Sequence, residues 1–183
     1  MKAVVVYESM YGNTHKIATA IGEGLGEEFD VVVVAVNDAG VEVADGADLL
    51  VVGGPTHAHG MSRPVTRAGA VEAVEKPDND LQLEPDPEGT GLREWFDELD
   101  TIHVLAAAFD TRVSAPTMVT GRASKGIGRR LHHHGASLVC APESFLVTKA
   151  THLEPDEDER ARAWGRDLAR LATAKLTTTT PTP

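Results

Sequence analysis

Three short runs of continuous apolar residues constrain this chain more than anything else in it. They are residues 3–7 (AVVVY), 30–36 (DVVVVAV) and 48–53 (DLLVVG). Each is too short for a helix and rich enough in valine to favour a strand. None alternates apolar with polar. A strand of that kind is buried on both faces, which is the condition of a parallel sheet covered by helices on either side. The segment between the first two runs supplies such a helix. Ile17, Ile21 and Leu25 recur every four residues, which is one face of a helix, and Thr14 stands where an N-cap is expected. The loop from Glu8 to Asn13 therefore ends at a helix N-terminus. Free backbone N–H groups and the positive end of the helix dipole make that position an anion site. Ser9, Asn13 and Thr14 add neutral donors, and Gly12 lets the backbone approach closely.

The loop is also specific in sequence. Val5-Val6-Tyr7-Glu8-Ser9-Met10-Tyr11-Gly12-Asn13-Thr14, followed by Ala18 and Ile21, resembles the phosphate-loop signature of the flavodoxin family. It matches neither the three-glycine dinucleotide fingerprint nor the Gly-Lys-Ser/Thr of a Walker A loop. The resemblance implies that the anion is the 5′-phosphate of FMN, held by Ser9, Met10, Tyr11, Gly12, Asn13 and Thr14. It implies a second flavin loop at Pro55, Thr56, His57, Ala58, His59 and Gly60, after the third run, and a third at Asp110, Thr111 and Arg112. His57 and His59 are placed to flank the ring or to hydrogen-bond it. Flavodoxins often carry a ring-stacking aromatic in the third loop. This chain has no Tyr or Trp between Phe109 and Trp164 and neither in the second loop, which leaves Phe109, His57 or a backbone amide to serve.

The rest of the chain continues the alternation. Pro64 is expected to open a helix with Val65, Ala68, Val71 and Val74 on one side. Residues 76–91 hold three prolines and several acids and read as an exposed loop or flap. Leu92, Trp95, Phe96 and Leu99 form a helical stripe that packs into the core. Residues 102–109 (IHVLAAAF) make a fourth strand. Ser124 is expected to cap a helix that ends near His134 and Gly135. The run His132-His133-His134 is not a metal site, because consecutive helical residues point in different directions. A fifth strand, interrupted at Pro142, and a last helix carrying Trp164, Leu168 and Leu171 complete the pattern. The expected fold is α/β: one doubly wound, five-stranded parallel sheet of order 2-1-3-4-5, flavodoxin-like, with helices on both faces. The domain spans 1–174, and 175–183, ending TTTTPTP, reads as a disordered tail.

Composition narrows the function. With 28 acids against 17 Lys and Arg, the net charge is −11, which argues against general nucleic-acid binding. No apolar run reaches membrane-spanning length. The single Cys140 suits a reducing, cytoplasmic compartment and reads as a buried structural thiol. Much of the acid lies in 72–100, a solvated face or a docking surface for a basic redox partner or reductase. No nucleophile–base arrangement stands out. The resemblance implies an FMN-binding protein that carries electrons between donor and acceptor proteins. Two alternatives share the fold: an FMN-dependent NAD(P)H:quinone or protoporphyrinogen-type oxidoreductase, and a flavin-free binding module.

Overall fold

A computed structural model describes residues 1–74 and 81–179. The valine-rich runs form a parallel sheet. Strand β1 (Lys2–Tyr7) lies between β2 (Asp30–Ala35) and β3 (Leu49–Pro55), and β4 (Leu105–Val113) follows β3. Two short segments, β5 (Ser137–Leu138) and β6 (Glu143–Val147), pair with successive stretches of β4. The fifth position is thus one strand broken around Pro142, and the order is 2-1-3-4-5. Val5 of β1 stands level with Val33 of β2 and Val51 of β3, and Val51 stands level with Ala107.

Alternate residues of these strands feed two cores. Ala3, Val5, Leu49 and Val51 meet helices α1 (Asn13–Leu25) and α6 (Glu157–Thr179). Val4, Val6, Leu50 and Val52 meet α3 (Leu92–Glu98) and α5 (Ala123–His133), which bring Trp95, Phe96, Ile127 and Leu131. Trp95 and the rest of its stripe are buried as the spacing predicts. Each such fully buried side chain contributes about 1.5–3 kcal/mol. Helices α1 and α6 touch backbone to backbone at Gly24 and Gly165, where a Cβ on either would fall on the other helix's main chain. The short α4 (Thr117–Thr120) and a 3-10 turn at Val41–Ala44 complete the elements, with α2 (Pro64–Val74) after β3.

Several expectations are corrected. Strand β2 is an edge strand, and Val32 is 44% exposed; its continuous valines reflect one covered face and a partly covered second. Helix α2 buries Arg67 and Ala70, whereas Val65 is 74% exposed. In α6 the packed face is Ala161, Leu168, Ala169 and Ala172, while Leu171 is exposed and Trp164 half-buried. That helix continues to Thr179, past the expected start of a disordered tail at 175; residues 180–183 lie outside the described residues. So do residues 75–80, which include 76–80 of the expected flap. Cys140 is half-buried, and burial, foremost, raises its thiol pKa. Helix α5 ends as expected, with Gly135 at φ +94 and Ala136 N–H returning to the carbonyl of Leu131. Among the described residues, no helix is long and apolar enough to cross a membrane, and no cluster of three or more His, Cys, Asp or Glu could hold a metal ion.

Candidate functional site

The carboxyl ends of β1, β3 and β4 open onto one cavity of about 140 Å³. Its wall takes Ser9, Met10, Tyr11, Asn13 and Thr14 from the first loop, Pro55, Thr56 and His57 from the second, and Thr111 and Arg112 from β4. Ten of the fifteen expected residues therefore converge. Gly12, Ala58, His59, Gly60 and Asp110 lie outside the wall. Val113, Val147 and Thr151 belong to it without having been expected; only the fold brings them there.

The first turn of α1 carries the polar chemistry. Gly12, at φ +82, is the N-cap, and Thr14 sits one residue inside the helix. The expected Thr14 cap is therefore corrected. Its hydroxyl instead meets that of Thr111 at 2.7 Å, with both residues almost fully buried. The first intrahelical bond runs from Lys16 N–H to the carbonyl of Gly12. The N–H groups of Asn13, Thr14 and His15 consequently have no acceptor within the helix. Ser9 faces inward on its own loop, its Oγ accepting from Gly12 N–H at 3.1 Å. The Asn13 side-chain amide donates to the carbonyl of Thr151 at 2.6 Å, and Tyr11 Oη donates to that of Ala70 at 2.9 Å. These bonds shape the loop rather than point donors at a ligand.

Asp110, Thr111 and Arg112 lie on β4, not on a following loop, because that strand extends four residues beyond Phe109. Asp110 is completely buried and accepts from Ser124 N–H at 2.7 Å. It caps α5 from the sheet. The expected Ser124 cap is corrected: Arg122 holds the N-cap position, and Ser124 lies in the first turn with its hydroxyl unpartnered among the described residues. Thr56 Oγ1 adds a second cap by accepting from Ala123 N–H at 2.9 Å. Arg112 donates from Nη1 to the carbonyls of Val113 and Ala115, which ties down the next loop. Its buried Nε has no acceptor among the described residues.

The second loop is a tight reversal. His57 and Gly60 exchange N–H···O bonds of 2.8 and 3.0 Å, with Ala58 and His59 between them at φ +43 and +72. Glycine or asparagine normally fills such positions, and left-handed backbone in other residues costs on the order of 1–3 kcal/mol. Gly121, at φ +73, pairs with His59 so closely that a Cβ there would fall on the His59 carbonyl. Burial, and secondarily the Arg67 charge, lowers the pKa of His57, which favours a neutral ring.

A second hollow, of about 330 Å³, lies on the β2 side of the first loop. Residues 84–87, Gly89 and Thr90 form one side of it. Glu84 N–H donates to the carbonyl of Met10, and Asn37 Nδ2 to that of Asp86. The Glu84 carboxylate meets His15 Nδ1 at 3.0 Å, and the His15 ring stacks on Tyr7 at 4.7 Å. At its base a buried group links β1, α2 and α3. Glu8 Oε2 accepts from Leu92 N–H at 2.9 Å, and Arg67 Nη1 donates to Ser62 Oγ and to Glu94 Oε2, each at 3.2 Å. Burial raises the Glu8 pKa, against the opposing pull of the Leu92 N–H, Ser62 and Arg67. Sequence reasoning passed over Glu8, Arg67 and Glu94, because single charges inside apolar or acidic stretches carry no periodic signal. With Glu8, Asp38, Glu84 and Asp86 against Arg67 and His15 in its wall, this hollow is the more acidic of the two. The 140 Å³ cavity has no carboxylate in its wall among the described residues.

Comparison with known proteins agrees with this geometry. The flavodoxin family model matches residues 5–84. No curated protein sequence matches the chain. A flavodoxin from the domain Archaea superposes with a TM-score of 0.62 at 20% identity, covering 94% of this chain and 99% of that one. For oxidised flavodoxin 1 from Bacillus cereus the values are 0.63 and 21%, covering 93% and 98%. The rubredoxin oxygen:oxidoreductase of the anaerobe Desulfovibrio gigas gives 0.60 and 19%, covering 96% of this chain but 37% of that larger one. The strand order, the phosphate-loop signature and the cavity at the switch point between β1 and β3 agree with these matches, and the chain has a flavodoxin-like fold.

Proposed function

We propose that this chain binds FMN and serves as a redox carrier, taking electrons from a donor and passing them to an acceptor protein. One observation carries the reading. Asn13 and Thr14, whose N–H groups have no acceptor within α1, the paired hydroxyls of Thr14 and Thr111, and Arg112, whose Nε has no acceptor among the described residues, meet around a cavity free of carboxylates among the described residues. A phosphate monoester fits that donor set. At about 140 Å³, the cavity is below the roughly 300–1,000 Å³ of pockets that enclose a whole ligand. It suits the phosphate end of FMN. Pro55, Thr56 and His57 would hold the adjoining part. When bound, the flavin supplies the electron transfer, and the chain binds, orients and shields it.

For the protein partner we propose a basic surface that docks on the acidic stretch 72–100, whose described part beyond residue 81 flanks the first loop. A second reading, an FMN-dependent oxidoreductase acting on a small molecule, is favoured by the cluster of arginines around the His57–Gly60 turn.

The test is titration of flavin-stripped protein with FMN, read by flavin fluorescence and visible absorbance. Saturable one-to-one binding that weakens in Thr14→Val supports the proposal. Absence of binding at tens of micromolar overturns it and favours a flavin-free binding module.

A further inference from the structure

We propose that the recess walled by Arg93, Arg122, Arg129 and Arg130 binds the phosphate or diphosphate group of a small molecule beside the His57–Gly60 turn. The chain has 17 Lys and Arg against 28 acids, so cations without acids are not its ordinary surface. Yet this recess, of about 290 Å³, is lined by those four arginines and His59, with no carboxylate in its wall among the described residues. Of the four, Arg130 has an acidic partner, Asp97. The others are oriented by neutral oxygens. Arg93 donates to the carbonyls of Met61 and Ser62, Arg122 to Ser144 Oγ and the carbonyl of Pro142, and Arg129 to the carbonyl of Lys125.

Carbonyl partners fix a guanidinium without neutralising it, so the positive potential remains available to a ligand. Burial, and then the charges of Arg63 and Arg130, lower the Arg93 pKa against the opposing pull of the Glu94 and Asp97 carboxylates. A carboxylate offers two oxygens, whereas a phosphate offers three and a diphosphate more. Several guanidinium forks therefore suit the latter. The concavity also matters. Docking of a protein needs about 800 Å² on each partner, while a recess of this volume suits a small anionic group.

The position gives the recess its relevance. It shares His59, Gly60, Met61 and Arg93 with an adjoining hollow of about 280 Å³, which in turn shares His57 with the cavity assigned to the FMN phosphate. An anion held by the arginines thus lies along the same turn as the second flavin loop. The inference rests on the flavin reading for what the small molecule is brought beside, but its test does not require flavin.

The experiment is calorimetric titration of the full chain, without FMN, using inorganic diphosphate at fixed low ionic strength. One saturable site is expected. Arg129 is exposed, so Arg129→Gln should fold; it should weaken binding about tenfold or more, the effect of losing one charge-assisted hydrogen bond. Arg129→Lys, which keeps the charge without the fork, should fall between the two. Arg162→Gln removes a cation that pairs with Glu23 on α1, away from the recess, and should leave affinity unchanged. Equal weakening by Arg162→Gln, or full binding retained in Arg129→Gln, overturns the proposal. So does the absence of a saturable site, which would leave the arginines to an acidic protein. A failed FMN titration would not alter any of these results.

Discussion

The contact between Thr14 and Thr111 allows stability and ligand binding to be separated. The two hydroxyls meet at 2.7 Å, and the residues are 2% and 5% exposed. Thr14→Val keeps the shape and removes one partner, which leaves the Thr111 hydroxyl without its bond. An unsatisfied buried hydroxyl costs about 1–3 kcal/mol. For a chain of this size that lowers the melting temperature by roughly 2–4 °C per kcal/mol. Thr14→Val/Thr111→Val removes both hydroxyls, so no group is left unpaired. Its stability should recover most of the way to that of the parent, giving a double-mutant coupling of opposite sign to simple addition. FMN affinity should behave differently. Each lost donor to a phosphate is worth about 1.5–3 kcal/mol, roughly 10- to 100-fold in dissociation constant, and the double variant should be the weakest binder. Denaturant unfolding of the flavin-stripped proteins, alongside FMN titration of the same samples, measures both quantities. If the double variant bound FMN as tightly as the parent, that result would falsify the placement of the phosphate between α1 and β4.

Gly121→Ala places a Cβ on the His59 carbonyl and demands φ +73 of an alanine; it should shift the 57–60 turn, lowering the melting temperature and weakening FMN binding together. The His57 pKa is lowered in the fold by burial and by Arg67, so the unfolded chain binds the extra proton more readily. Stability attributable to this residue is full above the ordinary histidine pKa, about 6.5, and is lost as pH falls through the lower folded value. His57→Gln should flatten that part of the stability–pH profile between about pH 7 and 5, and an unchanged slope would exclude His57 as its source. Glu84 brings a carboxylate beside His15 in the first turn of α1, where it competes for the positive end of the helix. Glu84→Gln should tighten FMN binding about two- to fivefold, following a helix-terminus charge effect of about 0.3–1 kcal/mol; weaker binding would show that Glu84 supports the loop rather than opposing the anion.

Much of the fold was legible because it is built from local signals repeated along the chain. The runs of valine around Val5 and Val51 could only be satisfied by a sheet covered on both faces, and the alternation with helices fixed a parallel order. The phosphate loop was legible for the same reason: strand, reversal and helix lie within one continuous stretch, so Ser9 to Thr14 could be read without knowing what packs on them. Edge and depth were not legible. Whether β2 is covered twice depends on what lies beyond it; among the described residues Val32 and Val65 are left exposed.

The same distinction runs through the site. Sequence shows which residue types the loops carry, but not where their hydrogen-bonding capacity goes. Asp110, expected at a ligand, is consumed as the cap of α5; Thr14, expected as a cap, is freed to meet Thr111. Glu84 and Thr151 come from segments far from the first loop, and Arg93 on α3 is far in the chain from Arg122, Arg129 and Arg130 at α5; they are joined only when the sheet closes. A buried polar group must find a partner, but proximity in sequence does not say which one. The local code therefore determines that an anion site exists at the head of α1, while long-range packing determines its walls, its net charge and the cationic rim beside it.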